Sequence, residues 1–102
     1  MRDILRNGTT GASNMNTQKT IELLSILVEE LGEATKAAGK ALRFGIDATN
    51  PVTNTPNIES LEREIADVLV AIELLSDVVD MDAIKRDYMP AKREKLAQWR
   101  LK

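Results

Sequence analysis

The chain contains no cysteine and no histidine in its 102 residues. The first absence excludes disulfide frameworks, thiolate zinc sites, iron–sulfur clusters and a thiol nucleophile. The second excludes Ser-His-Asp chemistry and imidazole metal sites. Oxygen is what remains for holding a metal, and an all-oxygen donor set suits hard cations such as Mg²⁺, with Mn²⁺ as a substitute. Aromatics are scarce at 3%, and the whole supply is Phe44, Tyr88 and Trp99. No apolar run is long enough to cross a bilayer and no charged-then-apolar leader opens the chain, so the expectation is a cytoplasmic protein with no membrane partner. The formal net charge is -2, from 14 basic and 16 acidic residues. It lacks the basic excess that non-specific binding to a nucleic-acid backbone requires, so no nucleic-acid partner is expected.

What is present is a balanced globular composition, 43% hydrophobic and 29% charged, in a length that fits one domain or one subunit of something larger. Residues 1–16 read as a flexible arm, because the run from Asn7 to Asn14 is small and polar and offers nothing to bury. Residues 17–102 form the domain. A first helix is expected over 17–43, capped by Asn16 or Thr17 and stopped by Gly45, with Leu24, Leu27, Val28, Leu31, Ala34, Ala38, Ala41 and Leu42 spaced by three and four. Residues 45–57, with two prolines and three asparagines, read as a loop long enough to be functional. A second helix is expected from about 58 to about 79, capped by Asn57. Its inner stripe of Leu61, Ile65, Val68, Leu69, Ile72, Leu75 and Val79 is widened by Val70, Ala71, Leu74 and Val78. A helix apolar around that much of its circumference needs cover on several sides. A third segment begins near Asp82, its cap, and is kinked or restarted at Pro90. The fold expected is all-α: a bundle of three main helices whose four-helix-type core is completed by association with further copies, since three such helices alone bury little.

The informative residues are acids within apolar arcs. Projected at about 100° per residue, Glu30 falls between Ile26, Ala37 and Ala41, with Glu33 at the edge of the same arc. Glu29 falls on the polar side, among Lys36 and Lys40. On the second helix Glu64 falls beside Ala71 and Leu75, and Asp67 between Leu74 and Val78. Residues three apart on a helix are neighbours, so each pair can grip one object. Four carboxylates converging in a bundle interior repel one another unless they take up protons or hold a cation. Bundle cores do hold carboxylate metal sites, and the lack of histidine excludes the di-iron version.

At these residues the sequence resembles the all-α nucleoside triphosphate pyrophosphatases, the MazG-like superfamily. Their motif is EExxE followed by ExxD. Here the halves are Glu29-Glu30-Leu31-Gly32-Glu33 and Glu64-Ile65-Ala66-Asp67, within EELGEATKAAGKALRFG and LEREIADVLVAIELL. The resemblance spans roughly residues 20 to 100. It implies a dimeric or tetrameric helical bundle that hydrolyses a nucleoside triphosphate to the monophosphate and pyrophosphate with Mg²⁺. It implies Glu30, Glu33, Glu64 and Asp67 as metal ligands, with Glu29 and Glu33 as the acids that orient or deprotonate the attacking water. Two departures are visible: the stretch between Glu33 and Glu64 is at the long end for the family, and Pro90 interrupts the last helix.

A triphosphate also needs cations and a contact for its base. Lys40 and Arg43, beside the first motif, and Lys92 and Lys95, on the last segment, are the phosphate-binding candidates. The plainer role is an exposed helix flank for Lys40 and Arg43 and a solvated tail for Lys92, while Lys95 projects between Tyr88, Ala91 and Trp99 on the apolar side if that segment is continuous. Phe44 is the candidate for stacking on the base, and Asn54 or Asn57 for reading its edge. Trp99 is expected in the core. Two other readings fit the same sequence: a non-enzymatic helical oligomer or adaptor, whose inward acids pair with another copy's basic residues, and a family member that binds nucleotides without cleaving them.

Overall fold

The computed structural model describes residues 11–100, with side chains from Thr17 onward. Its elements are helices and turns: α1 (Gly11–Phe44), α2 (Asn57–Leu74), α3 (Met81–Ala83), a π-helical stretch (Ile84–Tyr88) and α4 (Met89–Arg100). The only extended pairing among the described residues is an isolated bridge between Thr49 and Pro56. The chain is all-α.

Helix α1 starts six residues ahead of the expected boundary. Residues 11–16, read from their small polar composition as part of a flexible arm, are helical; residues 1–10 of that arm lie outside the described residues. Serine and asparagine are poor but tolerated helix formers, and a strongly helical run behind them can extend over such residues. The other end is as the sequence suggests. Gly45 adopts φ 100°, a conformation that glycine reaches without steric cost, and its N–H donates to the Ala41 carbonyl at 2.9 Å.

The loop that follows is closed by its own hydrogen bonds. Asn50 N–H donates to the Thr55 carbonyl at 2.9 Å, and Asn54 N–H to the Asn50 carbonyl at 2.8 Å. Asn54 itself sits at φ 59°, a left-handed turn position that asparagine tolerates. The side-chain oxygen of Asn50 accepts from Val52 N–H at 2.8 Å and Thr53 N–H at 3.3 Å, the Asx-turn arrangement. Two loop carbonyls then serve α2: Asn57 N–H donates to Ala48 O at 2.8 Å and Ile58 N–H to Ile46 O at 2.9 Å. With its first donors satisfied in this way, α2 needs no side-chain cap. The capping residue is Pro56, and Asn57, expected as the cap, is instead the first helical residue. Its buried side chain, 6% exposed, donates to the Gly45 carbonyl at 2.9 Å and ties the start of α2 to the end of α1.

Helices α1 and α2 lie antiparallel: Thr20 shares a cavity with Leu74 and Asp77 at one end, and Ala37 with Ser60 and Glu64 at the other. The seam between them is built from small side chains, with Ala37 and Ala71 buried and Leu75 closing one end. Helix α2 ends at Leu74 rather than near residue 79. Tight turns follow, with Leu75 N–H donating to Ile72 O and Val78 N–H to Leu75 O; apolar spacing alone does not separate such turns from another helical turn. Asp80, not Asp82, caps α3, its side chain accepting from Ala83 N–H at 2.9 Å.

The expected interruption at Pro90 takes the form of a π-helical stretch just before it, in which Met89 N–H donates to Ile84 O. A proline ring clashes with the carbonyl four residues back, here Arg86, and widening the preceding turn relieves that clash. Beyond it α4 projects free of the hairpin. It touches neither α1 nor α2, and every residue from 85 to 100 is exposed. The three main helices therefore do not close into a bundle within one copy. Trp99, expected in the core, is 72% exposed. The Cα envelope is 52 × 37 × 16 Å and the radius of gyration 17.7 Å, against roughly 13 Å for a compact domain of this length.

The tie at the loop is testable. Asn57→Ala lowers the free energy of unfolding by about 1–2 kcal/mol, the cost of stranding a half-buried carbonyl. Asn54→Gly, which relieves a left-handed asparagine, leaves it unchanged or slightly raised. Urea denaturation followed by helical circular dichroism reads both.

Candidate metal centre

Two helices bring the acids together because their spacing matches the packing seam. Glu30 is one helical turn beyond Ile26 and two turns before Ala37; Asp67 is one turn before Ala71, and Glu64 one turn before that. With Ala37 and Ala71 in the seam, there is little side-chain bulk to hold the helices apart, and carboxylates from both reach one point. One oxygen from each of Glu30, Glu64 and Asp67 lies within 4.8 Å of the others. Glu30 and Glu64 are half-buried and Asp67 is exposed.

This cluster takes part in no ion pair of the described residues. The ion pairs among the described residues are Arg63–Glu59 at 2.9 Å and Arg86–Asp87 at 2.8 Å, and neither touches it. The cost registers at Glu30, whose carboxyl is held above the ordinary 4.5. Loss of water around it is the first cause, followed by the negative charge of Asp67, Glu29, Glu64 and Glu33. Three convergent carboxylates on rigid helices, partly withdrawn from water and unpaired, fit a hard divalent cation in donor type and charge.

Glu33 stands apart from the triad but adjoins it. It lines a cavity of about 140 Å³ with Lys36, Ala37, Lys40, Asn50, Ser60 and Glu64. Glu64 thus faces both the triad and a small chamber that carries two lysines. Glu29 is exposed, as its projection indicates. Of the phosphate-binding candidates, Lys40 lines the chamber. Arg43 does not; its guanidinium lies 5.4 Å from the Phe44 ring centroid, so a cation already covers one face of the ring proposed for the base. Lys92 and Lys95 are on α4 and do not reach the carboxylates of their own copy. Asn54 is an exposed loop residue outside the chamber, and Asn57 is committed to the Gly45 carbonyl. Sequence reasoning missed Asn50 and Ser60. Ser60 lies one turn before Glu64 on the same face, a signal that was there to be read; Asn50 is placed by loop hydrogen bonds that no periodicity announces.

A larger cavity, about 500 Å³, lies at the other end of the hairpin between Lys19, Thr20, Leu23, Glu73, Leu74, Ser76, Asp77 and Val78. It gathers no triad of acids, so size and chemistry select different places, and chemistry is the better guide to a metal. No helix among the described residues is long and apolar enough to cross a membrane. Comparison with known proteins yields no match to a family model, a curated protein or a solved structure.

A carboxyl whose proton affinity is raised by folding stabilises the folded state while protonated. That contribution is full below the unfolded value and is lost as the pH rises through the folded one. In metal-free solution, wild type therefore falls further behind Glu30→Gln at about pH 7 than at about pH 4, and millimolar Mg²⁺ added at neutral pH closes the gap. Urea midpoints under the four conditions measure it. A gap independent of both pH and Mg²⁺ would place Glu30 in open solvent.

Proposed function

We propose that the protein is a Mg²⁺-dependent nucleoside triphosphate pyrophosphohydrolase. The observation that carries this reading is the convergence of Glu30, Glu64 and Asp67, acids from both halves of a two-part motif, on one point between two helices, with none of them in the ion pairs of the described residues of their own copy. The likeness of those motif halves to the MazG-like pyrophosphatases adds support, as does the lysine-bearing chamber beside Glu64.

Glu30, Glu64 and Asp67 would hold the ion, and Glu33 would extend the donor set toward the chamber. When bound, Mg²⁺ supplies charge neutralisation to the triphosphate and acidity to a water molecule. The chain's own residues do the rest. Glu33, beside the triad in the chamber, or the exposed Glu29, would accept the proton of the attacking water. Water adds to the α-phosphorus, the bond between that phosphorus and the α–β bridging oxygen breaks, and pyrophosphate leaves with that oxygen. Lys36 and Lys40 offset the negative charge of the departing group. The base would stack on the face of Phe44 that Arg43 leaves open, with Asn54 as the remaining candidate for reading its edge.

Association into a homodimer or homotetramer belongs to the same proposal. What supports it is the apolar surface that one copy leaves open: Ile65, Leu69, Val70 and Leu74 on α2 alone are each at least 46% exposed. Soluble monomers rarely leave so continuous a face uncovered.

The decisive measurement is pyrophosphate release from a panel of ribo- and deoxynucleoside triphosphates, with Mg²⁺ and with EDTA. Release depends on the metal, and Glu64→Gln reduces it by about 100-fold or more, at or beyond the upper end of the roughly 10–100-fold that losing a mere outer-shell partner of a metal costs. Equal rates in Glu64→Gln would remove the site. No release from any triphosphate would leave the non-enzymatic oligomer and the family member that binds nucleotides without cleaving them.

A further inference from the structure

The net charge of -2 conceals a segregation. Residues 85–100 carry six basic side chains (Lys85, Arg86, Lys92, Arg93, Lys95, Arg100) and two acidic ones, a balance of +4. Residues 17–84 carry five basic and thirteen acidic, a balance of -8. Charges so divided attract, yet within one copy α4 touches neither α1 nor α2. Its apolar residues are also uncovered, Leu96 at 44% and Trp99 at 72% exposure.

The hairpin holds a surface with the matching pattern. A groove of about 290 Å³ runs between the helices, lined by Ile26, Glu30, Asp67, Val70, Ala71 and Leu74. Its floor is apolar and carboxylates stand within it. On α4, spacings of three and four put Lys92, Lys95, Leu96 and Trp99 on one side. Lysines interleaved with apolar residues on the same side are poorly suited to a lipid surface, where a helix segregates its cations from the face it buries. They suit a groove that is itself both apolar and acidic.

We infer that α4 of each copy docks in the α1–α2 groove of a second copy. Leu96 and Trp99 cover the apolar floor, and Lys92 and Lys95 stand beside Glu30 and Asp67. Exchange of this kind is reciprocal and closes at two copies, each face serving once as donor and once as acceptor. It covers the apolar surface of α2 and α4 together. Resting on the hydrolase reading, it also completes the site: the two lysines that their own hairpin cannot use supply a partner's triphosphate with cations.

The chain has no cysteine, so Gln98→Cys provides a unique attachment point on α4 for a benzophenone photo-crosslinker. Equal mixing of unlabelled and ¹⁵N-labelled chains, followed by peptide mass spectrometry, identifies what α4 touches. The inference requires links from α4 to α1 or α2 peptides of the other isotope. Sedimentation then gives a dimer or a multiple of it whose association weakens about tenfold from low to high salt, as screening of opposed charges demands. Lys92→Glu/Lys95→Glu, helical by circular dichroism, sediments as a monomer, and the emission of Trp99, the only tryptophan, shifts to the red. A monomeric wild type, links within one copy only, or links between α4 and α4 overturn the inference; the last two would leave association intact by another face.

Activity separates this inference from the reading it rests on. Glu64→Gln and Lys92→Ala/Lys95→Ala are each inactive alone, while their equal mixture recovers about a quarter of wild-type release, because half the pairs are hybrids with one intact site of two. An active wild type whose mixture recovers nothing overturns the shared site and spares the hydrolase. Cross-links as required, with no release by wild type from any triphosphate, overturn the hydrolase and leave the exchange standing.

Discussion

Like charges drawn into one place set the terms for this protein. Glu30, Glu64 and Asp67 present oxygens within 4.8 Å of one another, two of them on half-buried side chains. Repulsion at such a distance is screened by water only in part. A sequence under no demand at this point relieves the strain with one amide or one alanine. Here the strain falls on Glu30, whose carboxyl keeps its proton to higher pH than usual. On the proposed reading a divalent cation would resolve it with the fewest changes, since it would meet carboxylates from both helices at once and asks only for oxygen. An arginine or lysine from within the copy does not, because none of the described ion pairs reaches the cluster.

The backbone serves that juxtaposition. Alanines at 37 and 71 lie in the seam between the helices, where larger residues would push the axes apart and with them the carboxylates. The loop joining α1 to α2 is held by its own carbonyls and by the Asn57 side chain, so α2 starts at a fixed position relative to the end of α1. Position along a helix then follows from rise and turn, which brings Ser60 and Glu64 to the chamber that Ala37 and Lys40 line, and Glu64 and Asp67 to Glu30. Rigid supports of this sort hold ligands better than a loop does.

Periodicity made the helices legible, and so also the inward placement of Glu30, Glu64 and Asp67, because a helix converts spacing into direction. It could not give the ends. Asn57 looked like a cap from its type, but the cap is made by the carbonyls of Ile46 and Ala48, which only tertiary folding brings near. Residues 75–79 continue the apolar rhythm and yet form tight turns. Glu33 follows the motif and still stands one chamber away from the triad, because a projection gives an angle about the axis and not a height along the neighbouring helix. Net charge misled in another way: it averaged an acidic hairpin and a basic helix into near neutrality, which hid the property that most distinguishes α4. Trp99 was placed in the core on residue type alone, where its neighbours in sequence, five of the twelve residues of α4 being charged, argued for the surface.

The thinness of the hairpin bears on both the fold and the site. A pair of helices has one seam, and the described residues bury little beyond Ala37, Ala71 and Leu75. Against an ordering cost of about 1–2 kcal/mol per residue, one seam is a weak return. In the proposed assembly the missing burial would come from a second copy, and the surface that would supply it is the same surface that flanks the carboxylates: Val70 and Leu74 line the groove with Glu30 and Asp67. Stability and chemistry are therefore coupled at one place. A partner that covers the apolar floor also lowers the dielectric around the acids, which strengthens both their repulsion when empty and their hold on a cation when filled. On the proposed reading, assembly of copies and occupation by an ion would favour each other, because each would remove a cost the other would otherwise meet alone.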